Sequence, residues 1–402
     1  MASMASNYRA DVVSAGDVKP SNALDTIRVL HVNSGNLYGG VETILVTLAR
    51  LRDLCPAIEP CFALCHEGRL SHELLESGVA VDILGKTRIS RPWTVWRARR
   101  RLREILRRDR FDIVICHMPW SLAVFGKAIR AERHRLGFWA HAFHEGHNWL
   151  ERLACHNRPD IAIGNSYFTA GGVSNLFPQT PSEVVYPPVS LIKSADAGEW
   201  RAVVRREQGA DKDTVVIIQV SRLEACKGHF VHLQALAQLR QLRTQWVCWM
   251  VGGPQSPREE DYLQRLSRAA ADLGISDRIR FLGQRTDVPR LLAAADIFCQ
   301  PNVAPDSFGI SFVEALWMGL PVVSTSLGGA KEVVDDSCGM LVQPDNPDLI
   351  AASLRELIDN PELRQRLGCA GAPRALHLCD PRTQMSVLNS VCRKAAPEAG
   401  KS

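Results

Sequence analysis

Short apolar runs rich in β-branched residues alternate with helix-length segments along most of this chain, and that alternation leaves few folds open. The runs begin with IRVLHVN at residues 27–33 and continue through CFALC, VAVDIL, FDIVICH, GFWAH and DIAIG. This is the pattern of a doubly wound parallel sheet, whose strands are covered on both faces and joined by helical crossovers. After VVYPPV, where Pro187 and Pro188 interrupt any regular element, the alternation restarts at TVVIIQVS. It then runs through WVCWMVGG, RIRFLG, DIFCQPN, LPVVS and GMLV. The expected fold is α/β, with two Rossmann-like doubly wound domains facing each other across a cleft. Residues 27–190 and 214–380 form the two domains in this reading, 191–213 a partly helical connector, and 381–402 a terminal helix and fraying tail.

A chain of 402 residues is long enough for two such cores. Its 46% hydrophobic and 23% charged residues exclude a disordered, collagen-like or coiled-coil chain. Twelve cysteines lie scattered, many inside apolar runs (Cys61, Cys65, Cys116, Cys248, Cys299), without zinc-finger spacing or a compact disulfide framework. They read as buried reduced thiols, which favours a reducing compartment, the cytosol by default. Residues 1–26 mix Ser, Ala, Asp and Lys without a continuous apolar core and read as a disordered lead-in, neither signal peptide nor anchor. Nowhere do 18 apolar residues run together, so any membrane contact is expected to be peripheral.

Ligands of doubly wound sheets bind beyond the carboxyl ends of the strands, so residues just after strands carry the chemistry. The first strand is followed by Gly35, Gly39 and Gly40, then by a helical stripe of Ile44, Leu45, Leu48 and Leu51. Such a loop can hold a phosphate or approach a sugar, or it can be a plain structural turn; its spacing is not that of a dinucleotide fingerprint. After VVIIQVS come Arg222 and Lys227, which can clamp a diphosphate or form a solvated surface pair. Next, PDSFGISFVEALWMGLPVVSTSLGG sets Asp306 on a loop and Glu314 more than one turn into a helix starting near Gly309. The two carboxylates can therefore contact different parts of one extended ligand, each accepting hydrogen bonds from sugar or ribose hydroxyls.

Gly39-Gly40, Arg222 with Lys227, the spaced acids Asp306 and Glu314, and GLPVVSTSLGGAKEVV occur in one order over residues 27–380. In that combination the chain resembles a family 4 retaining glycosyltransferase of GT-B fold. The resemblance implies an acceptor domain at the N-terminal side and a nucleotide-sugar donor domain at the C-terminal side. It implies that Arg222 and Lys227 hold the pyrophosphate and that Glu314 binds the ribose. Asp306 and the amides of Phe308, Gly309 and Ile310 would hold the transferred sugar, with Gly39 and Gly40 approaching from the opposite domain. The family usually has Glu at the first acidic position, and Asp306 is one methylene shorter. A misplacement of about 1 Å can cost on the order of a hundredfold in rate, although Asp accepts the same hydrogen bonds if the loop shifts. The family often carries a cleft histidine after the strand GFWAH, for which His141 is the positional match and His144 the reserve. His141, His144 and His147 can alternatively be read as a metal cluster, but acidic residues to support it are lacking. GT-B enzymes need no metal, so no cofactor is expected; the donor would be a UDP-, GDP- or ADP-sugar.

Residues 86–110 hold eleven Lys or Arg and two acids, a local +9 against +5 for the whole chain. Within them Val95, Ala98, Leu102, Ile105 and Leu106 form one helical face, arginines the rest, with Trp93 and Trp96 at the start. The segment suits an anionic membrane surface, or is a core-packed helix with a solvated basic face. No nucleic-acid motif accompanies it, so no nucleic-acid partner is expected. The overall expectation is a retaining transferase acting on a glycan or lipid-linked acceptor in polysaccharide biosynthesis, cytoplasmic or peripheral on the inner face of a membrane. A GT-B epimerase or hydrolase and a catalytically weak membrane-docking scaffold are the alternatives.

Overall fold

Seven parallel strands and then six, each set wrapped in helices, make up the chain in a computed structural model that describes residues 26–36, 38–189 and 197–396. Most of the expected lead-in, the start of the connector and the end of the tail lie outside the described residues. The first sheet comprises β1 (Ile27–Asn33), β2 (Ile58–Leu64), β3 (Val81–Ile83), β4 (Ile113–His117), β5 (Leu136–Ala140), β6 (Ile161–Gly164) and β7 (Ser182–Val184). The second comprises β8 (Val215–Val220), β9 (Trp246–Val251), β10 (Ile279–Gly283), β11 (Ile297–Gln300), β12 (Val322–Thr325) and β13 (Gly339–Val342). Their spatial orders are β3-β2-β1-β4-β5-β6-β7 and β10-β9-β8-β11-β12-β13, with every neighbouring pair parallel. In both, the order reverses beside the unit's first strand, which opens a crevice beyond the carboxyl ends of β1 and β4 and of β8 and β11.

Alternate residues of each strand feed two cores. In the first sheet Leu30, Val32, Val114, Cys116 and Phe138 pack on one face, while Val29, Ile113, Ile115 and Trp139 pack on the other. The strand β7 adds to the expected set. It is three residues long, pairs only with β6 at the sheet edge, and precedes Pro187 and Pro188, so its residues carried no apolar signal. The proline-bearing stretch Pro361–Cys379 is likewise one continuous helix, with Pro373 inside it. All twelve cysteines are free thiols.

The final helix, Pro381–Ala395, leaves the second unit and packs back onto the first. Asp380 caps its start by accepting from the Thr383 amide at 2.8 Å. Met385, Leu388, Val391 and Cys392 then enter the core formed by Ile27, Val29, Ile58 and Ile113. Two covalent crossings therefore join the units. The basic helix Pro92–Arg108 buries Ala98, Leu102, Ile105 and Leu106 and leaves Trp93 and Trp96 about 60% exposed (58% and 61%). Arg107 forks onto Glu132 at 2.8 and 2.7 Å, and Arg108 pairs with Asp82 and Asp109, whereas Arg91 and Arg97 make no ion pair among the described residues. Among the described residues no helix is long and apolar enough to cross a membrane.

Leu388 is fully buried in the core of the first unit. Leu388→Ala should therefore lower the stability of the first unit by about 2–5 kcal/mol, read as a shift of the urea midpoint monitored by tryptophan fluorescence. An unchanged midpoint would show that the returning helix does not anchor that lobe.

Candidate functional site

The carboxyl edges of the two sheets face one another over a cavity of about 510 Å³, within the range of small-ligand sites. The loops after β1, β5 and β6 form one wall, and those after β8, β9, β10 and β11 the other. Gly39, Gly40, His141, Arg222, Lys227, Asp306, Phe308, Gly309, Ile310 and Glu314 all line it. His144 and His147 do not. His144 is buried with its Nδ1 2.9 Å from Glu151 Oε1, and His147 lies in solvent beside Glu145. The three histidines diverge, and among the described residues no three His, Cys, Asp or Glu side chains are grouped to hold a metal ion.

Gly39 caps the helix Gly40–Arg50 in an extended conformation (φ −164°), so its backbone alone does not demand glycine. The loop lies at ordinary contact distance from the opposite lobe. A Cβ on Gly39 would meet Arg222 Cδ at 3.4 Å and one on Gly40 would meet Ile310 Cδ1 at 3.8 Å, both across the cavity. The loop is fastened from behind by Glu42, whose carboxylate accepts from the Gly39 amide at 3.0 Å and from Asn33 Nδ2 at 3.1 Å. Burial pushes the Glu42 carboxyl above its usual range, opposed by those hydrogen bonds and by Arg222. Glu42 was not among the expected residues; it makes the half of a capping box in which the third helical residue accepts from the N-cap amide.

Arg222 and Lys227 flank a short turn that follows β8. The Arg222 guanidinium is held by Glu224 at 3.0 Å and Glu259 at 3.2 Å. Lys227 Nζ lies 2.7 Å from Asp306 Oδ2, tying the loop after β8 to the loop after β11 across the switch point. The shorter carboxylate therefore reaches the ammonium, and its other oxygen accepts from the Ser307 amide at 2.9 Å. Gly228 fixes the turn. It is left-handed (φ 70°), and a Cβ there would lie 1.7 Å from the Pro301 carbonyl oxygen, which no other residue tolerates.

From Asp306 the chain passes Ser307 and Phe308 and enters the helix Ile310–Trp317 through Gly309. The Asp306 carbonyl accepts from the Gly329 amide at 2.9 Å, and buried Phe308 stacks on Tyr186 with ring centroids 5.2 Å apart. The two lobes also meet directly here. Ser166 Oγ donates to the Ser307 carbonyl at 2.6 Å, and Glu332 accepts from the Tyr167 and Phe168 amides at 2.9 and 2.8 Å. At the other rim Gln255 and the Tyr38 backbone exchange two hydrogen bonds of 3.1 and 3.0 Å. Asn165, Gln300 and Arg285 also line the cavity; single polar residues after strands carry no pattern that would have marked them. His141 is joined through its Nε2 to His117 Nδ1 at 2.8 Å, and His117 Nε2 to His31 Nδ1 at 2.9 Å.

Comparison with known proteins matches residues 38–192 to the model described as Glycosyltransferase Family 4 and residues 201–373 to the model described as Glycosyl transferases group 1. The D-inositol 3-phosphate glycosyltransferase of Corynebacterium efficiens is 30% identical over 308 residues, 73% of this chain and 70% of that protein. The protein of the same name from Salinispora arenicola is 33% identical over 57% of this chain and 54% of its own length. A GDP-mannose-dependent alpha-(1-6)-phosphatidylinositol monomannoside mannosyltransferase of Mycolicibacterium smegmatis is 29% identical over 57% of this chain and 60% of its own. The chain spans about half the length of the first curated relatives it matches. Among solved structures, Anabaena HepE in complex with UDP-glucose superposes with a TM-score of 0.79 at 23% identity, covering 92% of this chain and 100% of that one. WaaG, a glycosyltransferase involved in lipopolysaccharide biosynthesis, gives 0.67 at 18% identity over 93% and 100%.

Glu314 sits in the cavity wall, and its carboxyl group meets no donor among the described residues; burial pushes it up to about 7 from 4.5. An acid raised in this way is penalised when ionised, so the penalty is absent below pH 4.5 and complete above about 7. Glu314→Gln should therefore be more stable than the parent at pH 8, by on the order of 1–3 kcal/mol, with the gain fading towards pH 4.5. Paired urea titrations at the two pH values check this, and a gain independent of pH would refute it.

Proposed function

The chain belongs to the family 4 glycosyltransferases of GT-B fold, and from that premise we propose that it moves a sugar from a nucleoside diphosphate sugar to an acceptor hydroxyl with retention of anomeric configuration. One observation carries this reading: two cations, two carboxylates and a helix entrance from one lobe line a single cavity against a glycine loop from the other. The donor's diphosphate lies between Arg222 and Lys227, which compensate the charge that develops on it as the sugar leaves. Those cations do the work a divalent ion does elsewhere, so no metal is required. Glu314 accepts from the ribose hydroxyls. Asp306 and the amides of Phe308, Gly309 and Ile310 take the transferred sugar, and His141 faces it from the opposite wall.

Retention follows if the acceptor attacks on the face the diphosphate vacates. The bond from the anomeric carbon to the phosphate oxygen breaks, a new bond forms to the acceptor oxygen, and the acceptor's proton passes to the departing phosphate. The contacts between Ser166 and Ser307 and between Tyr38 and Gln255 are those of a closed cleft, which excludes water from such a step. A GDP-mannose-dependent relative named for a phosphatidylinositol mannoside supports a lipid-linked acceptor, and with a structural neighbour holding UDP-glucose it supports a nucleotide-sugar donor. Exposed Trp93 and Trp96, with Arg91 and Arg97 unpaired among the described residues, support docking of residues 86–110 on an anionic membrane from the cytoplasmic side.

Lys227→Ala should lower donor turnover at least tenfold with a panel of UDP-, GDP- and ADP-sugars, and the parent rate should survive a chelator. Donor cleavage without any acceptor would instead point to an epimerase or hydrolase, and no turnover with any donor to a scaffold. Parent-like rates in Lys227→Ala would remove that residue from the site. Flotation with anionic liposomes should be lost when the helix arginines become glutamine; unchanged binding would refute docking.

A further inference from the structure

We propose that Glu259 is a positioning residue for the donor diphosphate: it aims Arg222 from behind, while Glu224, the other acid on the same guanidinium, occupies the place of the diphosphate and yields it when the ligand arrives. The inference rests on the cavity being the donor site. Arg222 has a carboxylate at each of its terminal nitrogens. Nη1 lies 3.0 Å from Glu224 Oε1, and Nη2 donates to Glu259 Oε1 at 3.2 Å. By distance alone the two acids are equivalent.

Their surroundings separate them. Glu224 lines the cavity together with Arg222 and keeps 35% of its side chain exposed. It stands at the short turn after β8, where, among the described residues, its carboxylate has only the Cys226 thiol, 3.8 Å away, as a further contact. Glu259 is not part of the lining, and its side chain is 11% exposed. It is the third residue of the helix Pro257–Asp272, whose start is capped by Ser256 Oγ accepting from the Glu259 amide at 3.4 Å. A carboxylate in the first turn of a helix is also favoured by the helix dipole. The second oxygen of Glu259 accepts from the Gln255 amide. Gln255 in turn bonds to the Tyr38 backbone, so the carboxylate that holds Arg222 also secures the loop that reaches the opposite lobe.

These differences give the two acids opposite effects on a ligand. An exposed ion pair is weak, and a diphosphate carries more charge than one carboxylate, so it can take Nη1 from Glu224. Glu259 is held more firmly, because withdrawing it would strand the Gln255 amide without an acceptor. The guanidinium therefore changes one partner and keeps the other, which preserves its aim while it accepts the ligand. Charge alone gives a different expectation. Removing either acid would then strip negative charge from beside the cation and strengthen anion binding in both cases.

Isothermal titration calorimetry of the full chain with UDP, GDP, ADP and inorganic pyrophosphate, without acceptor, separates the two. For the probe that the parent binds best, Glu224→Gln should tighten binding about two- to fivefold. Glu259→Gln should weaken it about tenfold or more. Unchanged or tighter binding in Glu259→Gln would overturn the proposal, as would unchanged or weaker binding in Glu224→Gln. In an Arg222→Met background, where Lys227 supplies the residual binding, Glu259→Gln should cause little further loss. A loss of the same size there would show that Glu259 acts on the fold of its loop and not through Arg222, which also overturns the proposal. If the parent binds none of the probes, the donor-site reading itself fails; binding by the parent with the opposite signs in the variants removes only the roles given to Glu224 and Glu259.

Discussion

A parallel strand can be followed only by a crossover, so every strand of a parallel sheet delivers its next loop to the same edge. Everything chemical in this molecule depends on that constraint, applied twice. The loops after β1, β5 and β6 emerge on one edge of the first sheet, those after β8 to β11 on one edge of the second, and the two edges face each other. What holds them in register is polar and sparse. Ser166 bonds to Ser307, Glu332 caps the amides of Tyr167 and Phe168, and Gln255 grips the Tyr38 backbone. Together with the returning helix Pro381–Ala395 they bring Gly39 to van der Waals contact with Arg222 while leaving the cavity open. A few hydrogen bonds of this kind are each worth about 1 kcal/mol net, which suits an interface that must open to admit a ligand.

The cations of the site are paired before any ligand arrives. Arg222 has Glu224 and Glu259, and Lys227 has Asp306. Pairs with this much residual exposure contribute little to stability, so their value lies in aiming the side chains and in avoiding an unpaired charge within the closing cleft. An anionic ligand then enters by exchange. On the proposed function, a diphosphate that takes Lys227 would release Asp306 Oδ2, leaving it free to accept from a hydroxyl of the group attached to that diphosphate. Asp in place of the family's usual Glu keeps this exchange local, since the shorter side chain spans the gap from the loop after β11 to the loop after β8.

Much of this was legible in the sequence, and the reasons for the gaps are physical. Strands β1 to β6 and β8 to β13 announced themselves as short apolar runs, continuous in central strands such as β4 and β8 that are buried on both faces, whereas the three-residue edge strand β7 carries no such run. Gly39, Arg222, Lys227, Asp306 and Glu314 stood out because they follow strands directly. Their partnerships did not, since Lys227 and Asp306 are 79 residues apart and Tyr38 and Gln255 are 217 apart. His31 and His117 gave no signal, because a histidine within an apolar run looks the same whether it is a solitary core residue or one link of a chain. The helix Pro361–Cys379 shows that packing can carry a helix past an internal proline.

Exposure divides the polar groups of the cavity into those that can be charged and those that cannot. The guanidinium and ammonium sit on loops with carboxylates beside them. The imidazoles sit at strand ends among aromatic rings, where desolvation outweighs everything else and leaves them neutral. Glu314 lies between these limits, pushed to about 7 with no donor to relieve it. A hydrogen bond to the ionised form lowers a carboxyl's pKa, so hydroxyl donors arriving from a ligand would draw Glu314 towards the carboxylate even as they displace water from it. At neutral pH the balance at that position would then tip towards the charged form when a ligand is in place.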